Sequence, residues 1–452
     1  MTFIRRLLFL LVCGILLAAP TAQTLTAQTS AGPAGSKVSA SDSTNTGAGL
    51  SPADAQQAYH LPPDKLAKAI KLSRIRNILD IAGSIWGIVF IWLLLSTGAA
   101  AGIEAWAQRR TGRRWLQGIL YFAAFILLSA LVGLPLDLYG HHAERSYQIS
   151  VQGWASWFGD QGKALGLTLL VGVPAYLLFN RIVRKWPRRY WFIAWLVSVP
   201  ILVIVLFVEP LVEPLFNRYE PLSKNHLELV QELEKVVART GTKIPPDRMF
   251  LMKASAKTNG LNAYVTGIGA TKRIVVWDTT AGRIPNDEIL FIFAHESGHY
   301  VLNHIPKGIA CMAVALFFIY WACAGVAAWL IKKNGARWRA PDLASRTGFT
   351  VLLLVVSLAG FLIEPVSNAV SRHFEHQADV YGQEAIHGIV PDPQKTAVAA
   401  FNDLGKAWLE DPDPNPFIEF WLYNHPSTQQ RAEFAEHYNP WANGGHGKFF
   451  AK

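Results

Sequence analysis

His295-Glu296-Ser297-Gly298-His299 is the stretch from which the rest of the sequence is best interpreted. In a helix, its two histidines lie one turn apart on the same face, where two neutral imidazoles bind Zn²⁺. Zinc lowers the pKa of a coordinated water to about 7, and a glutamate at position 296 can take a proton from that water. The alternative is two surface histidines and a solvated glutamate that match the pattern by chance. The surrounding sequence has to decide between them.

The polar region around the motif predicts a mixed α/β unit over 213–308. A helix is expected to begin near Asn286, because Asp287 and Glu288 in its first turn suit the helix dipole. Leu227 to Arg239 has helical periodicity, Arg273 to Trp277 is β-branched and strand-like, and Asn262 to Thr266 is its expected neighbour.

The composition is typical of a multi-pass membrane protein. Hydrophobic residues make up 51% of the 452 residues and charged residues only 16%. The net charge of +10 does not indicate nucleic-acid binding, since the basic residues cluster beside apolar runs as in membrane loops. Six stretches are long and apolar enough to span a bilayer: 79–103, 116–138, 164–181, 190–212, 309–331 and 348–370.

The distribution of basic residues predicts an orientation in the membrane. With six spans, the basic loops 104–115, 181–189 and 332–347 fall on one side, which the positive-inside rule makes cytoplasmic. The motif then lies outside the cytoplasm, and we expect a bacterial inner-membrane protein with a periplasmic catalytic unit. A second basic cluster argues against this orientation, because it precedes the first span on the outer side: Lys65, Lys68, Lys71, Arg74 and Arg76.

A catalytic zinc site needs a third protein ligand. The short pattern with a third histidine six residues on fails, because position 305 is Ile, and His304 is out of phase and is expected to lie at a helix end. The downstream candidate is Glu375, with Asp379 one turn later to accept a hydrogen bond from a ligating imidazole. The alternative for these two carboxylates is an exposed acidic helix face.

At this point the sequence resembles the M48 metallopeptidases, and more narrowly the Ste24-type CAAX prenyl protease 1. The resemblance spans roughly residues 60 to 440. Its motifs are Glu213-Pro214-Leu215-Phe216-Asn217, Asn262-Ala263-Tyr264-Val265-Thr266-Gly267, Arg273-Ile274-Val275-Val276-Trp277-Asp278, His295-Glu296-Ser297-Gly298-His299, Ser371-Arg372-His373-Phe374-Glu375-His376-Gln377-Ala378-Asp379 and Asn424-His425-Pro426-Ser427.

The resemblance implies a role for each matching residue. It implies one Zn²⁺ per chain, bound by His295, His299 and Glu375, with Glu296 as general base. Asp379 would support a ligand and His425 would steady the tetrahedral intermediate. Implied substrate-binding residues are Asn262, Tyr264 and, more weakly, Arg431.

The expected fold is mostly α, a polytopic helical membrane protein carrying a zincin-like metalloprotease domain with a small sheet. The expected division is a signal peptide or signal anchor (1–27), a disordered tether (28–57), a four-span transmembrane domain (58–212), a peptidase domain containing the last two spans (213–440) and a C-terminal tail (441–452).

The leading hypothesis is an integral-membrane zinc metalloendopeptidase that cleaves membrane-associated, extended or misfolded proteins or peptides. Six spans and an outward site argue against prenylated substrates, because the eukaryotic enzymes have seven spans and cut from the cytosolic side. The alternative is a non-proteolytic scaffold or chaperone whose structural zinc is closed by a fourth ligand, His425 or His304. The sequence predicts no oligomeric state.

Overall fold

A computed structural model describes residues 58–450 of the chain. The expected signal segment and tether, 1–27 and 28–57, lie outside the described residues. We number the helices of four or more residues and the strands in chain order. The five N-terminal helices are α1 (Pro63–Ser96), α2 (Ala99–Arg110), α3 (Arg114–Ser146), α4 (Trp154–Lys185) and α5 (Tyr190–Val212).

The polar region that follows contains the sheet and the helix of the motif. Its elements are β1 (Tyr219–Pro221), α6 (Leu227–Thr240), β2 (Met249–Met252), β3 (Ala263–Thr266), β4 (Arg273–Trp277), α7 (Asp278–Ala281) and α8 (Asn286–Val301). Two long helices and three short ones complete the described chain: α9 (His304–Trp338), α10 (Arg346–Ile386), α11 (Pro393–Trp408), α12 (Pro416–Leu422) and α13 (Thr428–His437).

Six of the described helices are long and apolar enough to cross a membrane, which confirms the number of predicted spans. They are α1, α3, α4, the continuous segment Tyr190–Leu215, α9 and α10. The predicted ends were less accurate. The span expected at 79–103 starts at Pro63 and ends at Ser96, because Gly98 adopts a left-handed φ of 75° and separates α1 from α2. The span expected at 348–370 continues to Ile386.

The buried apolar residues form two clusters. One lies between the membrane helices and includes Phe122, Tyr176 and Phe349, whose rings contact one another. The other surrounds the sheet and α8, and includes the fully buried Trp277 and Ile289. The second cluster is the core of the polar unit that carries the motif.

The sheet has the order β1-β2-β4-β3, so β3 is an edge strand. It pairs antiparallel with β4, with Ala263 opposite Val276 and Thr266 opposite Arg273. This confirms the predicted neighbours, and the predicted helices over 227–239 and from Asn286 are α6 and α8.

Helix α8 packs closely on the C-terminal half of the long helix α10 at two glycines. A Cβ on Gly382 would lie 2.9 Å from the backbone nitrogen of His295, and one on Gly298 would lie 3.1 Å from the Tyr381 side chain. At Gly382 the neighbour is backbone that cannot move aside, so only a residue without a side chain permits this approach. It places the last turns of α10 directly against the motif.

Candidate metal centre

His295 and His299 lie one turn apart on α8, and α10 supplies Glu375 between them. His295 Nε2 lies 3.3 Å from His299 Nε2 and 3.3 Å from Glu375 Oε2, and His299 Nε2 lies 3.6 Å from Glu375 Oε1. His295 and Glu375 are buried. Among residues 58–450, these three form the group of His, Cys, Asp and Glu side chains whose ligand atoms all lie within 4.8 Å of one another.

The donor set fits a zinc ion. Tetrahedral zinc with ligand bonds of 2.0–2.1 Å separates its ligand atoms by roughly 3.3 Å, which matches the spacing of the three side chains. Glu375 Oε2 is buried, and no donor in the described part of the chain reaches it in hydrogen-bonding geometry. Three lone-pair-bearing atoms that converge in this way repel one another unless a cation lies between them.

On the side away from the cluster, the Nδ1 atom of each imidazole lies close to a different residue. His295 Nδ1 lies 2.8 Å from Asp379 Oδ1, and Asp379 is paired with Arg431 through contacts of 2.9 and 2.6 Å. His299 Nδ1 lies 3.2 Å from His304 Nδ1. Both rings therefore present Nε2 to the cluster.

The two imidazoles have opposite pKa shifts. Burial lowers the pKa of His299 to about 3, so this ring is neutral and ready to act as a ligand. Burial also acts to lower the pKa of His295, but the nearby carboxylates of Asp379 and Glu375 outweigh it and raise the pKa to about 9. A cation bound between these groups would take the place of that proton.

Glu296 follows the first histidine and lies on the cavity side of α8. Burial raises the pKa of its carboxyl to about 7, and the carboxyl accepts a hydrogen bond from the backbone N–H of Val265 on β3. A carboxyl with a pKa near neutrality can both accept and return a proton.

The structure also brings the C-terminal candidate His425 to the cluster. Its Nε2 lies 3.2 Å from Glu375 Oε2, and its Nδ1 lies 2.8 Å from Asn424 Oδ1. His425 is not a member of the three-residue group, so the described residues supply three ligands and no fourth. This is the donor count of a catalytic site with an open position.

The candidate substrate residues lie along a cavity of about 380 Å³. Asn262 and β3 line one wall, and the membrane helices contribute residues such as Gly83 and Ser357. The hydroxyl of Tyr264 donates to Glu213 Oε1 at 3.0 Å, and the guanidinium of Arg431 is engaged by Asp379.

Sequence reasoning missed Tyr300, and it considered His304 only as a helix-end residue or a fourth zinc ligand. His304 was expected at a helix end; it begins α9, but it also contacts His299. The hydroxyl of Tyr300 donates to the carbonyls of Val265 and Gly267, at 3.3 and 3.1 Å, and so occupies part of the free edge of β3. No periodicity or motif indicates the role of Tyr300. A helix break after His299, signalled by Asn303, was the available sign for His304.

Comparison with known families agrees with this geometry. Residues 223–439 match the model of peptidase family M48, and residues 50–218 match the CAAX prenyl protease N-terminal model, described as five membrane helices. The chain is also 32% identical over 384 residues to an uncharacterized metalloprotease, YhfN, of Bacillus subtilis, covering 84% of this chain and 88% of that protein.

The chain belongs to peptidase family M48. It is a multi-pass membrane metalloendopeptidase of the Ste24 type, and a protease of this family acts on protein or peptide substrates. The M48 metalloproteases are zinc-dependent as a group, which agrees with the donor set described above.

Other M48 relatives support the Ste24 type. CAAX prenyl protease 1 of Saccharomyces cerevisiae is 26% identical over 331 residues, covering 70% of this chain and 71% of that protein. The human CAAX prenyl protease 1 homolog is 24% identical over 397 residues, covering 77% and 78%. The crystal structure of S. mikatae Ste24p has the same fold, with a TM-score of 0.72 at 22% identity over 84% of this chain and 90% of that one.

Proposed function

We propose that the protein binds one Zn²⁺ per chain through His295, His299 and Glu375, and cleaves extended, membrane-associated proteins at this centre. The observation that carries the proposal is the convergence of three lone-pair donors, two of them buried, at zinc-like spacing, with one side left open to the cavity. When bound, zinc acts as a Lewis acid toward water and the scissile carbonyl.

The chain's own residues would handle the proton and the charge. Glu296 takes a proton from the attacking water and returns it to the leaving amine, a cycle suited to its pKa of about 7. His425 Nε2 lies 3.2 Å from the ligand carboxylate, and an N–H at this position can donate to the developing oxyanion. Asp379 fixes the orientation of His295.

The edge strand β3 is the proposed platform for the substrate main chain. Its outer edge faces the cavity, and an extended peptide can add to such an edge through backbone hydrogen bonds. Asn262 stands where the strand begins and lines the same cavity. We assign Tyr264 and Arg431 a supporting part, since both reach this wall while their polar groups bind carboxylates.

Two substitutions test the centre. Glu296→Gln is expected to lower cleavage of an unfolded reporter protein such as casein by about 100-fold or more, with zinc content still near one per chain. Glu375→Ala is expected to lose the metal. The matched control is His376→Ala, because His376 is the exposed neighbour of Glu375 on α10 and contacts Phe434. Cleavage by the Glu296 variant at the parent rate would refute the mechanism.

We further propose that the catalytic unit lies on the periplasmic side of a bacterial inner membrane. The basic loops join at one end of the bundle, where Arg346 contacts Glu104 at 3.2 Å and Gln117 at 2.7 Å. Along α10, residue 346 lies about 44 Å from Glu375 at 1.5 Å per residue, more than the roughly 30 Å hydrocarbon core of a bilayer.

The opposing basic cluster lies in the first turns of α1, and one of its five charges is paired inside the protein. Arg76 pairs with Glu144 at 2.8 Å and donates to the carbonyl of Trp408, so its charge is neutralised within the protein. A reporter joined after Lys452 tests the orientation: alkaline phosphatase is expected to be active and green fluorescent protein dark. The reverse pattern would refute it.

A further inference from the structure

His304 is buried and makes a specific contact at each ring nitrogen. It is 2% exposed, and its ring stacks on Phe374 with centroids 4.5 Å apart and an interplanar angle of 9°. Its Nδ1 lies 3.2 Å from His299 Nδ1, and its Nε2 lies 2.9 Å from Gln377 Oε1. The Nε2 of Gln377 lies 3.0 Å from Nε2 of His373, which is exposed.

A reversal of the backbone brings His304 to this place. Helix α8 ends at Val301, and Asn303 adopts the left-handed conformation with φ 58° before α9 begins at His304. Asparagine is among the few residues other than glycine that accept this conformation at small cost. Without the break, a residue five positions after His299 would lie on another face of the helix.

Only one assignment of protons along this series lets His299 bind a metal. For His299 to offer the lone pair of Nε2, its Nδ1 must carry the proton and donate it to His304 Nδ1. His304 then carries its own proton on Nε2 and donates to Gln377 Oε1, whose amide nitrogen donates to His373. The reverse assignment puts a proton on His299 Nε2, which faces His295 and Glu375 and then has no lone pair for a cation.

We infer that His304 is a positioning residue for the metal ligand His299. Gln377 accepts the Nε2 proton of His304 and so keeps His304 in the tautomer whose Nδ1 accepts a hydrogen bond from His299. The inference rests on the metal centre proposed above and adds to it the support of the second histidine. It also makes the two ligands unequal: a carboxylate paired with an arginine holds His295, whereas a neutral imidazole and an amide hold His299.

The test measures zinc affinity of the full-length protein in detergent by competition with a chelator. His304→Phe keeps an aromatic ring against Phe374 but removes both nitrogens, and it is expected to weaken zinc binding about 10- to 100-fold. In Gln377→Glu the carboxylate can only accept a hydrogen bond from His304, which keeps the same tautomer. The zinc affinity of this variant is therefore expected to be no more than about threefold weaker than that of the parent. His376→Ala is the control on the same helix and is expected to match the parent.

Cobalt substitution provides a readout that packing alone would not change. The visible absorption of bound Co²⁺ is expected to shift in His304→Phe and to stay as in the parent in Gln377→Glu, because only the first alters the orientation of a ligand. Parent-like zinc affinity in His304→Phe would overturn the inference and leave the metal centre intact. If the parent protein itself bound no zinc, as is expected only of Glu375→Ala, both the metal centre and the role of His304 would be overturned.

Discussion

The pair Arg431–Asp379 offers a quantitative test of how the centre is supported. Asp379 is 3% exposed and Arg431 16%, and the guanidinium is bidentate to the carboxylate, which links α13 to α10. Burial acts against charge on Arg431, but Asp379 outweighs it and raises the pKa of the guanidinium, so the pair stays ionised. The pair is therefore a buried salt bridge that lies directly behind His295.

Arg431→Met removes the bidentate partner of the buried Asp379 carboxylate and leaves His295 as its remaining close partner. Such a loss costs about 3–5 kcal/mol, far more than a surface pair is worth. At roughly 2–4 °C per kcal/mol for a unit of 150–250 residues, the melting temperature should fall by about 6–20 °C. Arg431→Met combined with Asp379→Asn removes the stranded charge, so the double variant should be less destabilised than the sum of the two single variants.

The assay is thermal unfolding followed by circular dichroism in detergent at pH 7.5, with zinc removed from all variants so that metal binding does not contribute. Zinc affinity is then measured separately, and Asp379→Asn is expected to weaken it about 10- to 100-fold. The reasoning is refuted if Arg431→Met melts within about 2 °C of the parent, or if the two single effects simply add.

Three further outcomes are expected. Gly382→Ala should destabilise the protein by about 1–3 kcal/mol and weaken zinc binding, because the new Cβ would lie 2.9 Å from the backbone of His295; parent-like melting and zinc content would contradict this. Burial raises the pKa of Glu288 to about 7, so its contribution to stability is full below pH 4.5 and is lost as the pH rises through 7. Glu288→Gln should therefore increase the free energy of unfolding at pH 8 by up to about 3 kcal/mol, and raise the melting temperature accordingly. At pH 4.5 the substitution should change the melting temperature little. The charged groups that act on Glu288 are Asp287, Asp403 and Lys406. Removal of zinc with a chelator should abolish cleavage while far-ultraviolet circular dichroism stays unchanged, since both apolar clusters are formed by protein side chains alone; loss of helix would instead favour a structural metal.

Features that depend on local periodicity or hydropathy were predictable from the sequence. The six spans, the helix of the motif and the pairing of β3 with β4 belong to this class. Glu375 was also predictable as a ligand candidate, because the histidine pair left a third ligand owed, and Glu375 directly follows the last span with Asp379 one turn later. The structure brings it within 3.3 Å of His295 Nε2.

Features that depend on a single backbone conformation or on distant contacts were not predictable. The end of α1 is set by a positive φ at Gly98, and the position of His304 is set by a positive φ at Asn303. The segment expected to be a C-terminal tail is fixed by a distant contact, since the backbone N–H groups of residues 448–450 donate to the carboxylate of Glu384 on α10. The hydropathy of a stretch of sequence contains no information about the φ angle of a single residue or about contacts between residues far apart in the chain.

The distribution of the ligands between helices has a consequence for how the centre assembles. His295 and His299 belong to α8 in the core around the sheet, whereas Glu375 belongs to a 41-residue helix whose first half packs in the membrane cluster. Two ligands on α8 alone leave zinc one protein ligand short of a catalytic site. The centre is therefore complete only when the polar unit docks on α10, and the glycines at 298 and 382 are the points at which that docking is closest. Zinc bound there would join α8 to α10 directly, so metal binding should stabilise the docking of these two helices as well as enable catalysis.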